Sequence, residues 1–139
     1  MMKPISVWKQ ELSGGAHAAR LAALYCCAPE QTPAQAARYE AVLDGLEATF
    51  GPHAEAGLYS APGRTEIGGN HTDHQHGRVL AGSVNIDMIA AAGPNTLGQL
   101  RVQSEGYDLC VIDLNDLAAR KEEENTSAAI LRGECEAFR

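Results

Sequence analysis

The sequence changes texture at Gly51-Pro52, and that break constrains the fold more than any other feature. Before it the chain is rich in Ala, Leu, Glu and Arg and is interrupted once, at Cys27-Ala-Pro-Glu-Gln-Thr-Pro33. After it, glycine and β-branched residues take over, as strands and turns require. In the first part, Leu12, Ala16, Ala19, Ala23 and Cys26 fall on one helical face. Ala37, Val42, Leu43, Leu46 and Phe50 do the same after Thr32, read as an N-cap, and Pro33 at the first helical position. Two helices are therefore expected in a helical lead-in over residues 1–52.

Downstream, Arg78–Ala92 alternates loosely and is dense in Val, Ile and Met, which predicts a strand, and Gly93-Pro94-Asn95-Thr96 predicts a turn. Leu100–Ser104 and Leu109–Leu114 read as two more strands about the turn Glu105-Gly106-Tyr107-Asp108, giving an antiparallel meander. After an acidic, polar stretch, Thr126 or Ser127 is placed to cap a last helix that still runs at Arg139. The fold class is α+β: N-terminal helices, then an antiparallel β-meander, then a C-terminal helix. An apolar face formed by Val84, Ile86, Met88 and Ile89 is expected to stay partly uncovered, so the isolated chain should associate with a partner or dissolve poorly.

Composition narrows the function classes. The chain has 139 residues, 45% hydrophobic and 21% charged, which makes one soluble domain the default. Its formal charge of −7 is spread along the chain and no basic stripe exists, which excludes tracking of nucleic acid or anionic lipid. Cys26, Cys27, Cys110 and Cys135 show neither a CxxC spacing nor a secretory context, so they read as reduced thiols in a cytoplasmic protein. Apolar runs fall well short of a membrane helix and Met1–Leu12 lacks the apolar region of a signal peptide, so no membrane association is expected.

The chemistry concentrates in residues 57–82, which hold 6 of the 14 glycines and, at positions 71–76, 3 of the 5 histidines. Asn70, His71 and Asp73 put an amide, an imidazole and a carboxylate within four residues. That set suits a polyhydroxylated ligand, because sugar hydroxyls both donate and accept hydrogen bonds. Arg64, aimed into the same cleft, would stabilise negative charge on a transferring phosphoryl group. Two other readings stand beside this one. A glycine-rich polar stretch is often only a turn, and His71, Asp73, His74 and His76 are the ligand types of a zinc or other transition-metal site. Their order differs from the HxHxDH motif of metallo-β-lactamase-like hydrolases, and no apolar buried strand precedes them.

The run Ala61-Pro-Gly-Arg-Thr-Glu-Ile-Gly-Gly-Asn-His-Thr-Asp-His-Gln-His-Gly-Arg-Val-Leu80 closely resembles the galactokinase signature, PGRxNLIGEHTDYNxGxVLP, of the GHMP kinase superfamily. The resemblance implies an incomplete N-terminal lobe of such a kinase over residues 1–139, with the sugar-binding signature at 57–82. It implies ATP-dependent phosphorylation, with Mg, of the anomeric hydroxyl of D-galactose. By position it makes Arg64 the catalytic, transition-state-stabilising arginine and gives Asn70, His71, Thr72 and Asp73 to the sugar. Asn70 stands where the family has glutamate, Glu66 replaces an asparagine and His74 a tyrosine, so galactose is the first expectation and another hexose the second. No glycine- and serine-rich phosphate loop of the GLSSSA type occurs in the chain, and the family's catalytic aspartate is not matched either. The chain by itself is therefore expected to lack kinase activity. It reads as a truncated product or as half of a split enzyme whose missing C-terminal part is a separate chain. The alternatives are a non-catalytic galactose-binding or regulatory module, and the metal site.

Overall fold

A computed structural model of the chain describes residues 1–69, 72 and 75–139. In chain order the elements are α1 (Ile5–Ser13), α2 (Ala18–Tyr25), α3 (Thr32–Phe50), β1 (Gly57–Gly68), β2 (Leu80–Ala92), β3 (Gln99–Val102), β4 (Cys110–Asp113) and α4 (Ser127–Ala137), with short 3₁₀ turns at Pro29–Gln31 and Lys121–Glu123. This is the expected α+β class. The chain divides into two compact units, Met1–Gly93 and Pro94–Arg139.

In the first unit the lead-in holds three helices, not two. The face expected to run from Leu12 to Cys26 is broken after Ser13, where Gly15 takes a left-handed backbone with φ of +73° and the Ser13 hydroxyl turns back to the Lys9 carbonyl at 2.8 Å. Within α3 the buried residues are Thr32, Ala36, Tyr39, Leu43 and Leu46, a four-three-four-three spacing that defines one helical stripe. That stripe shares Leu43 and Leu46 with the expected face but replaces Ala37, which is exposed, by Ala36 and Tyr39. Thr32 is the first residue of the helix and not its cap. Its hydroxyl donates to the Pro29 carbonyl at 2.8 Å, inside the preceding turn. Gly51, at φ +83°, ends the helix with its N–H on the Glu47 carbonyl.

The core collects Ile5 and Leu12 from α1, Leu21 and Tyr25 from α2, the α3 stripe and Ala56, with Trp8, Phe50, Leu58, Ile89 and Ala91 packed against it. Lys3 and Ala56 exchange backbone hydrogen bonds at 3.1 and 2.8 Å, and the Trp8 indole N–H donates to the Ala56 carbonyl at 2.8 Å. These contacts place the start of α1 beside the point where β1 begins.

β1 pairs antiparallel with β2, from Gly57 opposite Ala92 to Pro62 opposite Asp87. The register then jumps, so that Arg64 faces Ser83 and Val84–Ile86 bulge opposite Gly63. Leu58, Ile89 and Ala91 turn to the helices. The alternate residues Tyr59, Ile86 and Met88 are exposed on the outer face. The expected uncovered face is thus present at Ile86 and Met88, while Val84 is half-buried and Ile89 belongs to the core side. β1 fills a glycine-rich stretch to which the sequence reading assigned no element, and β2 has β1 as its partner.

In the second unit β3 pairs with β4 from Gln99 opposite Asp113 to Val102 opposite Cys110, a separate two-stranded sheet. The antiparallel strands therefore form two hairpins where one meander was expected, because β2 pairs with β1. Ile112 is fully buried in this unit and Leu117 is buried beside the strand end. Arg132 of α4 is also buried, donating through Nε and Nη2 to both carboxylate oxygens of Glu123 at 2.7 and 2.6 Å and through Nη1 to the Asp116 carbonyl. Thr126 caps α4 by accepting from the Ala129 N–H at 3.4 Å, as expected, but the helix ends at Ala137 before Arg139 is reached. Among the described residues no helix is long and apolar enough to cross a membrane.

Candidate functional site

The glycine- and histidine-rich segment forms the far half of the β1–β2 hairpin and the connection between its strands. Arg64 stands on β1 directly across from Ser83, with its side chain 61% exposed. Its guanidinium meets the Glu66 carboxylate at 3.3 Å, two residues along the same face of the strand. A cation held this way is available to an incoming group and is already balanced by one negative charge.

Thr72 organises the connection. Its hydroxyl donates to the Gly69 carbonyl at 2.7 Å, and its own carbonyl receives the N–H groups of Gln75 at 3.0 Å and Gly77 at 2.7 Å. The two glycines are steric requirements of this turn. Gly69 has φ +100° and lies so near the Arg78 carbonyl that a β-carbon would overlap it, and a β-carbon on Gly77 would overlap Thr72. The threonine hydroxyl spends its proton on the backbone but keeps lone pairs that can accept from a ligand hydroxyl.

Of the residues the sequence singles out, Arg64 and Thr72 are described. They occupy the same end of the hairpin, and their polar contacts run to Glu66 and Gly69. Asn70, His71, Asp73 and His74 lie outside the described residues. His76, the remaining member of the metal-ligand set, is exposed in a left-handed conformation with φ +62°. Among the described residues no three His, Cys, Asp or Glu side chains converge as a metal site.

The group that sequence reasoning missed is centred on Asp87, in the inner half of the hairpin. Its carboxylate accepts from the Ser60 hydroxyl at 2.5 Å, the Tyr25 phenol at 2.6 Å and the Arg38 guanidinium at 2.7 Å, with the side chain only 3% exposed. Because Tyr25 gives its proton to Asp87, Tyr39 is left to donate to the Tyr25 oxygen at 2.8 Å. Burial opposes the charge on Asp87, but the hydrogen bonds from Ser60, Tyr25 and Arg38 outweigh it and hold the carboxyl below its ordinary range. Burial first, and then the neighbouring carboxylate, push the Tyr25 phenol well above its usual value. The signal was present in the sequence. Asp87 interrupts the otherwise apolar run Ile86–Ala92 at the same alternation phase as Ile89 and Ala91, so a carboxylate on the core side had to find partners.

With this geometry in place, comparison with known proteins adds the decisive observation. Residues 46–94 match the family model of the galactokinase galactose-binding signature. That stretch is similar to the galactokinase signature. The matched residues run from the last turns of α3 through β1, the Thr72 connection and the whole of β2, so signature and hairpin coincide. A galactokinase from Lactobacillus helveticus is 28% identical over 96 residues, which is 68% of this chain and 24% of that protein. The chain thus spans about a quarter of the length of this curated galactokinase. No solved structure matches it significantly. The likeness to galactokinases is thus centred on residues 46–94, which match the galactose-binding signature.

Proposed function

We propose that the chain is the hexose-recognising part of a galactokinase-like phosphotransferase of the cytoplasm, corresponding to part of the N-terminal lobe of a GHMP kinase and taking D-galactose or a closely related hexose at the far end of the β1–β2 hairpin. The observation that carries this reading is the coincidence of the matched signature, residues 46–94, with that hairpin. On this reading Asn70, His71, Thr72 and Asp73 contact the sugar, and Arg64 faces the charge that develops at the hydroxyl to be phosphorylated.

The ATP side of such a reaction does not fit the residues present. The glycine-containing turn Gly93–Gly98 leads into β3 and not into a helix, so it offers no helix N-terminus to a phosphate. Phosphoryl transfer depends on positioning and charge stabilisation by those parts, which Arg64 cannot replace. We therefore assign sugar recognition to these residues and phosphoryl transfer to parts of a galactokinase-like protein that they do not include.

Titration calorimetry of the chain with galactose, glucose and zinc tests the proposal. Saturable binding of galactose in preference to glucose supports it. A zinc response without a sugar response would shift the reading to the histidine cluster. Galactose-dependent ADP release by the chain with no partner, abolished in Arg64→Ala, would overturn the division of labour. A regulatory galactose-binding module shares the same sugar site, and is distinguished by the absence of kinase activity when a polypeptide bearing the phosphate loop is added.

A further inference from the structure

We propose that Asp87 is the positioning residue of the signature hairpin: it ties β2 and β1 to the helical layer where the hairpin leaves the apolar core and so sets where Arg64 and the Thr72 connection are presented. The consequence for ligand affinity rests on the sugar-binding reading above, whereas the mechanical part rests on geometry alone.

The hairpin has two halves of different character. In the inner half, Leu58, Ile89 and Ala91 pack on the helical core. Beyond Pro62 on β1 and before Asp87 on β2, no described residue joins that core. Asp87 sits at the boundary. One carboxylate binds three elements at once, since Ser60 belongs to β1, Tyr25 to α2 and Arg38 to α3. The Arg38 guanidinium also lies over the Tyr25 ring, 5.5 Å from its centroid, and donates to Gln35 at 2.7 Å, which leaves it little freedom to swing away. The Asn85 amide adds a contact of 3.4 Å to the Tyr25 carbonyl.

Immediately past this junction comes the bulge. Val84–Ile86 lie opposite Gly63, and a β-carbon on Gly63 would meet the Ile86 carbonyl at 3.1 Å and Val84 Cγ2 at 3.2 Å. A bulge bends and twists the strand that carries it, so the direction of the outer half depends on where the inner half is held. The groups that face Asp87 are Ser60, Tyr25 and Arg38, with Tyr39 behind Tyr25. A serine hydroxyl or a tyrosine pair supplies only one arm of this junction. The carboxylate is the atom set that all arms share.

Hydrogen exchange and galactose titration on Asp87→Asn, with Leu43→Val as a control in the same core, test the proposal. Asparagine keeps the shape and one acceptor but removes the charge. The expected result is exchange accelerated about tenfold or more at amides 57–68 and 80–92 with α1 unchanged, and galactose affinity about tenfold weaker. The control should speed exchange across helices and hairpin alike. Hairpin exchange unchanged in Asp87→Asn, or accelerated in the same uniform way as in the control, would overturn the positioning role. Should Asp87→Asn not fold, Ser60→Ala and Tyr25→Phe each remove one arm, and the same local acceleration is expected in both. A wild-type chain that fails to bind galactose sinks the sugar reading, while the exchange pattern still decides the role of Asp87.

Discussion

Arg64 and Glu66 share one face of β1 and meet at 3.3 Å, the arginine side chain 61% exposed and the glutamate 18%. With the arginine end open to solvent, a pair of this kind contributes about 0–1 kcal/mol, because water screens the attraction and ordering two long side chains costs entropy. Arg64→Ala should therefore change the urea unfolding free energy by less than about 0.5 kcal/mol. If Arg64 serves the ligand, the same variant should bind inorganic phosphate or sulfate at the hairpin end measurably less well than wild type. A large stability loss with unchanged anion binding would make the arginine a structural residue.

Gly69 and Gly77 pinch the connection from opposite sides, against Arg78 and Thr72. Alanine at Gly69 must adopt a φ near +100° and displace a carbonyl, so Gly69→Ala should destabilise the unit by about 1–3 kcal/mol. Gly77→Ala should cost a comparable amount through its overlap with Thr72. Thr72→Val keeps the branched shape but strips the hydroxyl from the Gly69 carbonyl, for an expected loss of about 0.5–1.5 kcal/mol. Urea titration of the three variants, with amide shift changes confined to residues 57–92, checks the assignment.

The segments that were legible in the sequence are those where local chemistry decides the structure. Thr126 caps α4 because its side chain reaches an N–H three residues on, and Cys110–Asp113 pairs with Gln99–Val102 because a turn sequence separates two short apolar runs. β1 was not legible. Pro62 and the glycines at 57, 63 and 68 weaken its strand signal, and only pairing with the strongly apolar β2 makes it a strand. The break between α1 and α2 was visible in Gly14-Gly15, but the alanine-rich face on either side concealed it. The placement of Arg64 and Thr72 in one local segment followed from their spacing in the sequence. The Asp87 junction joins residues far apart in the chain, Tyr25, Arg38, Ser60 and Asp87, and no local pattern pairs them.

Asp87 also makes the first unit acid-sensitive. Its carboxyl lies below the ordinary value near 3.8, against burial and in favour of three donors, so its contribution to stability is present above that value. It is lost as pH falls from about 4 through the lower, folded value. Urea midpoints measured between pH 7 and pH 2.5 should be level at the top of the range and fall below about pH 4. In Asp87→Asn the curve should start lower at pH 7 and lose part of its acid limb. An acid limb identical to that of the wild type would mean that other carboxylates, such as Glu11 beside Lys3 and His17, account for it.

The outer face of the hairpin sets a contrast between apolar residues that hold the fold and those that do not. Leu43 is fully buried, and Leu43→Ala should cost about 2–5 kcal/mol, the lost transfer energy plus the cavity left behind. Ile86 and Met88 are 76% and 78% exposed, so they leave little water on folding and contribute little to stability. They are alternate residues of one strand, Met88 opposite Ala61 and diagonal to the exposed Tyr59 of β1, and an exposed apolar face of this kind drives association. Threonine retains β propensity at such positions. The double variant Ile86→Thr, Met88→Thr should therefore unfold within about 0.5 kcal/mol of the wild type. It should also sediment as a slower, less concentration-dependent species. If the double variant unfolds as readily as Leu43→Ala, the outer face is covered in solution and the hairpin is buried on both sides.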